Sequence, residues 1–387
     1  NCQIHQYCKF DRKNYFYPDN PQNYQISQLY LPICHDGWVE IETSAGKKKI
    51  RIHEMHMEED AGKLIHDEWE DCSLVDYNRS GVPLIEIVSE PDMRSSEEVI
   101  AYLEKLRCMM QYLGVSDCKL QEGSMRADVN LSVREVGAEE FGTRTEMKNL
   151  NSFKAIARAI EGERERQIEL IEEGKAVTQE TRRWDDNKEY SYAMRSKEDA
   201  KDYRYFPDPD LLPLEVSNEW IAKVKSEMPE LPQEMRQRLM QEFGLSEYDA
   251  GILTGGRDIA DYYVAVADAA ADKKIAANWV MGEVAAALNQ TEGLTFATAP
   301  VTPTLLAKLL GRIADGTISN KGARIVFQAL WDGEGQDVDQ LIDAKGLKQI
   351  SDAGALEAIV DEVIAKNQKS VDEFRSGKEK ALNALVG

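Results

Sequence analysis

No stretch of the 387 residues approaches the ~20 consecutive apolar positions that a bilayer-crossing helix needs, so the sequence offers no membrane span. Cysteine is sparse: Cys2, Cys8, Cys34, Cys72, Cys108 and Cys118 all fall in the first third, and none form a CxxC pair. That is too few for a disulfide scaffold, and we expect reduced thiols; nothing else in the sequence supports zinc at Cys2 or Cys8. Histidine is scarcer still, with His5, His35, His53, His56 and His66 as the full set. The run at 53–56 reads HExH rather than HExxH, which excludes a zinc-protease helix. Positive charge is in deficit, 47 Lys and Arg against 69 Asp and Glu, a net charge of −22. Bulk attraction to a polyanion is thereby excluded, and any RNA contact must be local or shared with a partner. A phosphate loop is missing too: Gly62-Lys63 lacks the glycine that the pattern requires where Met57 stands.

Enough remains to fold well. Hydrophobic residues make up 42% and charged ones 30%, and 387 residues can bury two or three cores. The first ~215 residues mix strand and helix signals, and the rest is almost wholly helical, which predicts an α+β chain. Ser95-Ser96-Glu97-Glu98 is a capping box, followed by Val99, Leu103, Leu106, Met110 and Leu113 at helical spacing and a stop at Gly114. A second helix starts near Ser152, with Phe153, Ile156, Ile160, Ile168 and Ile171 inward and Glu and Arg outward.

The strands carry charge. From Met125 to Arg134 apolar and polar residues alternate, with Arg126, Asp128, Asn130, Ser132 and Arg134 on one face. Residues 143–149 put Arg144, Glu146 and Lys148 together, and residues 84–90 do so for Glu86, Val88 and Glu90. Such a sheet could hold a charged ligand; a solvated sheet face accounts for the periodicity equally well. Near 58–60 three carboxylates precede Gly62-Lys63, a set suited to a hard cation, although alternation separates Glu59 from Glu58 and Asp60. Beyond Pro213 come short amphipathic helices, among them a stripe of Ile275, Trp279, Val280, Val284 and Leu288. Thr302-Pro303 opens another, Gly316 closes it, and Ser319 caps the next. With no convergent polar cluster, this half reads as a recognition module.

Several blocks in one order resemble the B subunits of the aspartyl/glutamyl-tRNA(Asn/Gln) amidotransferases, the GatB family. They are KFDRKNYFYPDN at 9–20, HMEEDAGK at 56–63, PLIEIVSEPD at 83–92, EMKNLNSF at 146–153, QETRR at 179–183 and DYRYFPDPD at 202–210. PELP at 229–232, ISNK at 318–321 and GKEK at 377–380 continue the match, so it covers essentially the whole chain.

The resemblance implies an antiparallel-sheet cradle domain with a kinase site at 1–215, a helical domain at 216–365 and the start of a YqeY-like tRNA-binding tail at 366–387. It implies ATP and Mg²⁺ as cofactors, with Glu59 and Glu86 as first-choice metal ligands and Glu58 and Glu90 as second. The family's first strand supplies a further Glu and His and is expected upstream of Asn1; the tail is expected to continue past Gly387. Lys63, Arg126, Arg144 and Lys148 are candidates for holding phosphates, with Asp128, Asn130 and Glu146 beside them; for each, a structural ion pair is the alternative. The implied reaction is phosphorylation of the side-chain carboxylate of Glu-tRNA(Gln) or Asp-tRNA(Asn), then amidation. That carboxylate is already ionised at neutral pH, so the chemistry needs no general base. The chain carries no amidase-type Ser-Ser-Lys or Cys-His set, so ammonia is expected from a partner amidase subunit (A), with a small subunit (C) completing a heterotrimer in the bacterial cytoplasm. Misacylated tRNA would meet Arg375, Lys378 and Lys380. The competing reading is a tRNA-binding adaptor without chemistry.

Overall fold

In the computed structural model the described residues are all but 67–69, 197–201, 350–352 and 379–387. They form two compact units, Asn1–Leu231 and Pro232–Gly387. The division falls at Pro232, and the helix α3 (Asn218–Glu227) lies within the first unit.

The first unit is built on two four-stranded sheets. One has the order β1 (Gln3–Ile4), β5 (Cys34–Thr43), β6 (Gly46–Glu59), β9 (Pro83–Ser89), antiparallel throughout. The other runs β10 (Val129–Leu131), β11 (Thr145–Lys148), β12 (Glu180–Asp185), β13 (Tyr190–Ser196). Here β11 and β12 are parallel, because the helix α2 (Phe153–Glu172) carries the chain back between them, as a parallel pair demands. A three-stranded sheet, β14 (Phe206–Pro207), β3 (Asp11–Asn14), β4 (Tyr24–Ser27), joins residues nearly 200 apart in sequence. Two small pairs complete the unit: β15 (Leu214–Glu215) with β2 (Tyr7–Cys8), and β7 (Lys63–His66) with β8 (Ser73–Asp76).

The core lies where α1 (Ser96–Leu113) and α2 cover these sheets. Val39, Ile41, Ile50 and Ile52 meet Leu103 and Leu106 of α1 and Ile156 and Ile160 of α2. α1 is capped as its sequence predicts: the Ser95 side chain accepts from the Glu98 amide, and Gly114 takes the left-handed conformation. α2 departs from expectation. Its buried stripe continues from Ile156 and Ile160 through Glu163 and Gln167, while Ile171 is exposed. The 3.6-residue period carries the inward face onto two polar residues, because Thr145 and Ser191 beneath them offer hydroxyls to be satisfied. The alternating stretch 125–134 is regular strand only at Val129–Leu131, where β11 supplies a ladder partner. Its alternation is nonetheless kept, with Met125, Ala127, Val129 and Leu131 packed on the core.

The second unit is helical: α4 (Pro232–Gln241), α5 (Glu247–Leu253), α6 (Arg257–Ala269), α7 (Lys273–Trp279) and α8 (Ala285–Gln290) lead to α9 (Pro303–Ala314) and α10 (Asn320–Trp331). α11 (Val338–Ala344), α12 (Ala353–Lys366) and α13 (Gln368–Arg375) follow. Thr302 and Ser319 cap α9 and α10 as read from sequence. Between α7 and α8 a π-helical turn at Val280–Val284 widens the expected stripe, burying Trp279, Val280 and Val284 together. No helix among the described residues is long and apolar enough to cross a membrane.

Candidate metal centre and its aromatic wall

The centre begins with a change of phase in β6. Up to Ile52 the even residues Ile50 and Ile52 face the core; at His53 the strand carries one residue more than β9. Past that bulge the odd residue Met55 packs on the core, so Glu54, His56 and Glu58 turn to the opposite side. His56 stands directly across from Glu86 of β9. Its Nε2 lies 3.6 Å from Glu86 Oε2 and 3.7 Å from Glu58 Oε2, and Nδ1 lies 3.4 Å from Glu54 Oε1. One donor atom from each of His56, Glu58 and Glu86 falls within 4.8 Å of the other two. These gaps exceed hydrogen-bond length but are near the roughly 3–3.5 Å between neighbouring ligands bound at ~2.1 Å.

The donor chemistry fits a divalent cation: two carboxylates for a hard ion and an imidazole whose Nε2 faces both of them. Burial opposes protonation of His56, yet the surrounding Glu58, Glu86 and Glu54 raise its pKa above the ordinary value. Burial, then Glu58, raises the Glu86 carboxyl, against the pull of His56 and Lys13. Like charges held together in this way are what a bound cation relieves.

An aromatic wall lines the centre. β3 and β14 pair through Arg12↔Phe206 and Asp11↔Pro207, bringing the blocks at 9–20 and 202–210 into one sheet. Arg12 locks the pairing, donating to Asp208 (2.7 Å) and Asp210 (2.8 Å) with its guanidinium 4.2 Å over Tyr24. Asn14 Nδ2 donates to the carbonyls of Tyr203 and Arg204. Lys13 Nζ rests 4.9 Å over the Tyr203 ring and 5.9 Å over Tyr15. Burial, then Tyr203, Glu58 and Glu86, push the Tyr205 hydroxyl up to about 12. Burial, then Asp19 and Glu58, do the same for Tyr15.

The second sheet brings a further charged group. Lys148 Nζ bridges Asp128 (2.9 Å) and Glu146 (3.2 Å), and Thr181 donates to Glu146 (2.8 Å). Burial works against the Lys148 charge, but the two carboxylates hold its pKa above the ordinary value. Asp128 adds a small upward push to the Glu86 carboxyl.

The remaining sequence candidates lie elsewhere. Glu59 is on the other side of β6 from Glu58, accepting from Gln22 Nε2 (2.9 Å) and the Ile26 amide (3.2 Å). Glu90 lies one residue beyond β9 and pairs with His53 at 2.9 Å. Neither joins the donor cluster, because alternation in β6 and the bulge at His53 turn them away. Arg126 is taken by buried Asp60 (3.0 Å), which Arg79 also grips. Lys63 stands on the β7–β8 hairpin opposite Asp76. Just before it, Gly62 passes so close to the Asp76 and Asp19 carbonyls that a Cβ would sit 2.9 and 3.1 Å from them. Asn130 pairs in register with Glu146, and Arg144 is exposed at the start of β11, where its charge helps to lower Glu146. Arg375 and Lys378 are exposed in the second unit, and Lys380 lies outside the described residues.

Sequence reading missed His56, Lys13 and the tyrosines. The signal for His56 was the two-residue spacing Glu54, His56, Glu58, visible once a strand rather than a protease helix is assumed. Lys13 and Tyr205 had no such signal, since only the β3–β14 pairing brings them together.

Two family models match the chain, the GatB/GatE catalytic domain over residues 1–222 and the GatB domain over 261–387. Among curated relatives, a protein of Agathobacter rectalis named as the B subunit of aspartyl/glutamyl-tRNA(Asn/Gln) amidotransferase is 62% identical over 387 residues, covering 100% of this chain and 81% of the relative. Proteins of the same name from Lachnospira eligens and Lachnoclostridium phytofermentans are 59% and 57% identical, each over 100% of this chain and 81% and 80% of their own lengths.

Proposed function

Because the chain belongs to the GatB family, the B subunits of tRNA-dependent amidotransferases, we propose that its first unit activates the side-chain carboxylate of a misacylated tRNA with ATP. A carboxylate oxygen of Glu-tRNA(Gln) or Asp-tRNA(Asn) attacks the γ-phosphorus, ADP leaves, and an acyl phosphate forms. Ammonia then attacks the acyl carbon, inorganic phosphate departs, and the amide remains. The ammonia comes from a partner amidase; the sequence carries no recognisable amidase-type Ser-Ser-Lys or Cys-His set.

The observation that carries this reading is the convergence of His56, Glu58 and Glu86, with the charge of Lys13 acting on Glu86. His56, Glu58 and Glu86 would hold a divalent ion, Mg²⁺ when ATP is present. When bound, such an ion supplies charge neutralisation across the phosphates. Lys13 has no carboxylate within ion-pair distance among the described residues; its charge is held over tyrosine rings and is free to meet a phosphoryl oxygen. Asp128 and Glu146 hold Lys148 at the edge of the site.

The test uses the full-length subunit in its assembled complex. His56→Ala and Glu86→Gln should each lower ATP-dependent transamidation about a hundredfold or more, and weaken Mn²⁺ binding measured by electron paramagnetic resonance. Glutamine hydrolysis by the partner should persist, and Glu59→Ala should lose less than either. Near-normal transamidation by both variants would reject this assignment.

A further inference from the structure

A cavity lies beside the β5–β6 ladder and the loop that leads into α1. Its volume is about 500 Å³, and Trp38, Lys48, Lys49, Arg51, Asp92 and Arg94 line it. In a chain carrying −22 overall, four cations around one carboxylate are an exception.

The cations are not equivalent. Lys48 is neutralised by Glu98 at 2.8 Å, and Arg51 by a two-point grip on Asp92 at 2.6 and 2.9 Å. Lys49 and Arg94 have no carboxylate within ion-pair distance among the described residues. Glu40 stands opposite Lys49 in the strand register, yet Lys49 folds over Trp38 instead, 4.1 Å from the ring centroid. Arg94 donates through one terminal nitrogen to the carbonyls of Pro91 and Met93, which fixes its guanidinium and leaves its other nitrogens without a hydrogen-bond acceptor among the described residues. Counting Asp92 and Glu98 against the four cations leaves an excess of two positive charges beside a half-exposed indole. In the first turn of α1, Glu98 is held by Lys48, while Glu97 keeps its charge but is turned to the β5–β6 turn, where it accepts from the Ser44 amide and hydroxyl; it does not line the cavity.

We propose that this cavity is a nucleotide-phosphate site, with Arg94 and Lys49 holding the phosphate and Trp38 stacking the base. The occupant that the fold favours is a phosphodiester of the RNA substrate, and to that extent the proposal rests on the function given above. Lys49 and Arg51 share one side of β6 with His56 and Glu58, because the bulge at His53 turns the later residues outward. Arg51 lies five residues from His56, roughly 16 Å at the usual strand rise. A single-stranded RNA end whose acyl group sits at the metal centre would pass phosphates within reach of the cavity. Aromatic stacking beside cations is how single strands are gripped without sequence readout.

The test measures binding of a transcript of the substrate tRNA, without its amino acid, to the full-length subunit in its complex at several salt concentrations. For Lys49→Gln/Arg94→Gln we expect affinity to fall about tenfold and the salt slope to flatten by about one to two units, with Trp38→Ala weakening binding without changing the slope. In turnover the loss should fall on KM for tRNA, and Arg94→Lys should restore part of it. Calorimetry with AMP forms the second arm. AMP binding that is lost in the double variant, with tRNA affinity intact, would support the phosphate site with a free nucleotide as its source. Unchanged tRNA affinity and slope, together with no AMP binding, would overturn the proposal. If wild-type complex amidates tRNA but binds no AMP, and the double variant binds tRNA normally, this inference fails alone; if wild type does not amidate, the functional reading fails first.

Discussion

Replacing Glu163 tests whether a buried charge network supports the site-bearing sheet. The Glu163 side chain is fully buried under that sheet. Its Oε1 accepts from Thr145 (2.8 Å), Arg166 (2.7 Å) and Gln167 (2.9 Å), and its Oε2 from Arg166 (2.8 Å) and Ser191 (3.4 Å). Arg182, itself buried, lies 3.5 Å from Oε2 and is otherwise held by Glu180 and Ser191. Glu163→Ala removes the acceptor of these donors and leaves Arg166 and Arg182 under-compensated. Breaking a buried pair from one side costs about 3–5 kcal/mol, a large share of the 5–15 kcal/mol that holds a typical domain. A loss of about 4 kcal/mol changes the folded-to-unfolded ratio nearly a thousandfold. Urea unfolding should show a lower midpoint with an unchanged slope. The pH dependence gives a second reading. Burial alone would raise the Glu163 carboxyl, but hydrogen bonds from Arg166, Gln167 and Thr145 hold its pKa below the ordinary value. A carboxyl depressed in the folded state stabilises fully above its unfolded pKa, ~4.3, and loses that contribution as pH falls toward the folded value. The gap between parent and variant should therefore be widest near neutrality and narrow below about pH 4. A midpoint shift worth less than about 1 kcal/mol at pH 7 would refute the reasoning. Thr145 shares β11 with Glu146 and Lys148 on its opposite face, so the same variant should also weaken transamidation.

Two smaller effects should follow in the second unit. Hydrogen bonds from Arg312 (2.6 Å) and Lys308 (3.0 Å) pull the Asp339 carboxyl down to about 2, but its side chain is 42% exposed. Asp339→Asn should then cost under about 1 kcal/mol at pH 7 and less in 1 M salt; a loss above about 2 kcal/mol would contradict that screening. Lys378 is exposed with Glu373 at 4.0 Å, and Lys378→Glu together with Lys380→Glu should weaken tRNA binding and flatten its salt slope by about one unit per lost contact. Filter binding that shows affinity and slope unchanged would remove these lysines from the RNA contact.

Local chemistry was readable in the chain. Ser95, Ser152, Thr302 and Ser319 announce helix starts because a hydroxyl satisfying a free amide is a contact within three residues, written in adjacent positions. The alternation of 145–148 set Glu146 and Lys148 on one face for the same reason: side-chain direction in a strand is a property of neighbours. The motif blocks likewise marked the family to which the chain belongs.

What they could not show was how the blocks meet. One extra residue at His53 inverts the faces of β6, and only pairing with β9 reveals the inversion and sets His56 against Glu86. The β3–β14 ladder joins residues nearly 200 apart, placing Lys13 over the Tyr203 ring and bringing Tyr205 within the field of Glu58 and Glu86. Glu163 looked like an outward charge on an amphipathic helix and is inward, because partners from three strands, Thr145, Arg182 and Ser191, outweigh its cost of burial. A chain specifies its short-range geometry residue by residue, whereas register and burial are settled by partners distant in sequence, and it was those that brought His56, Glu58 and Glu86 together.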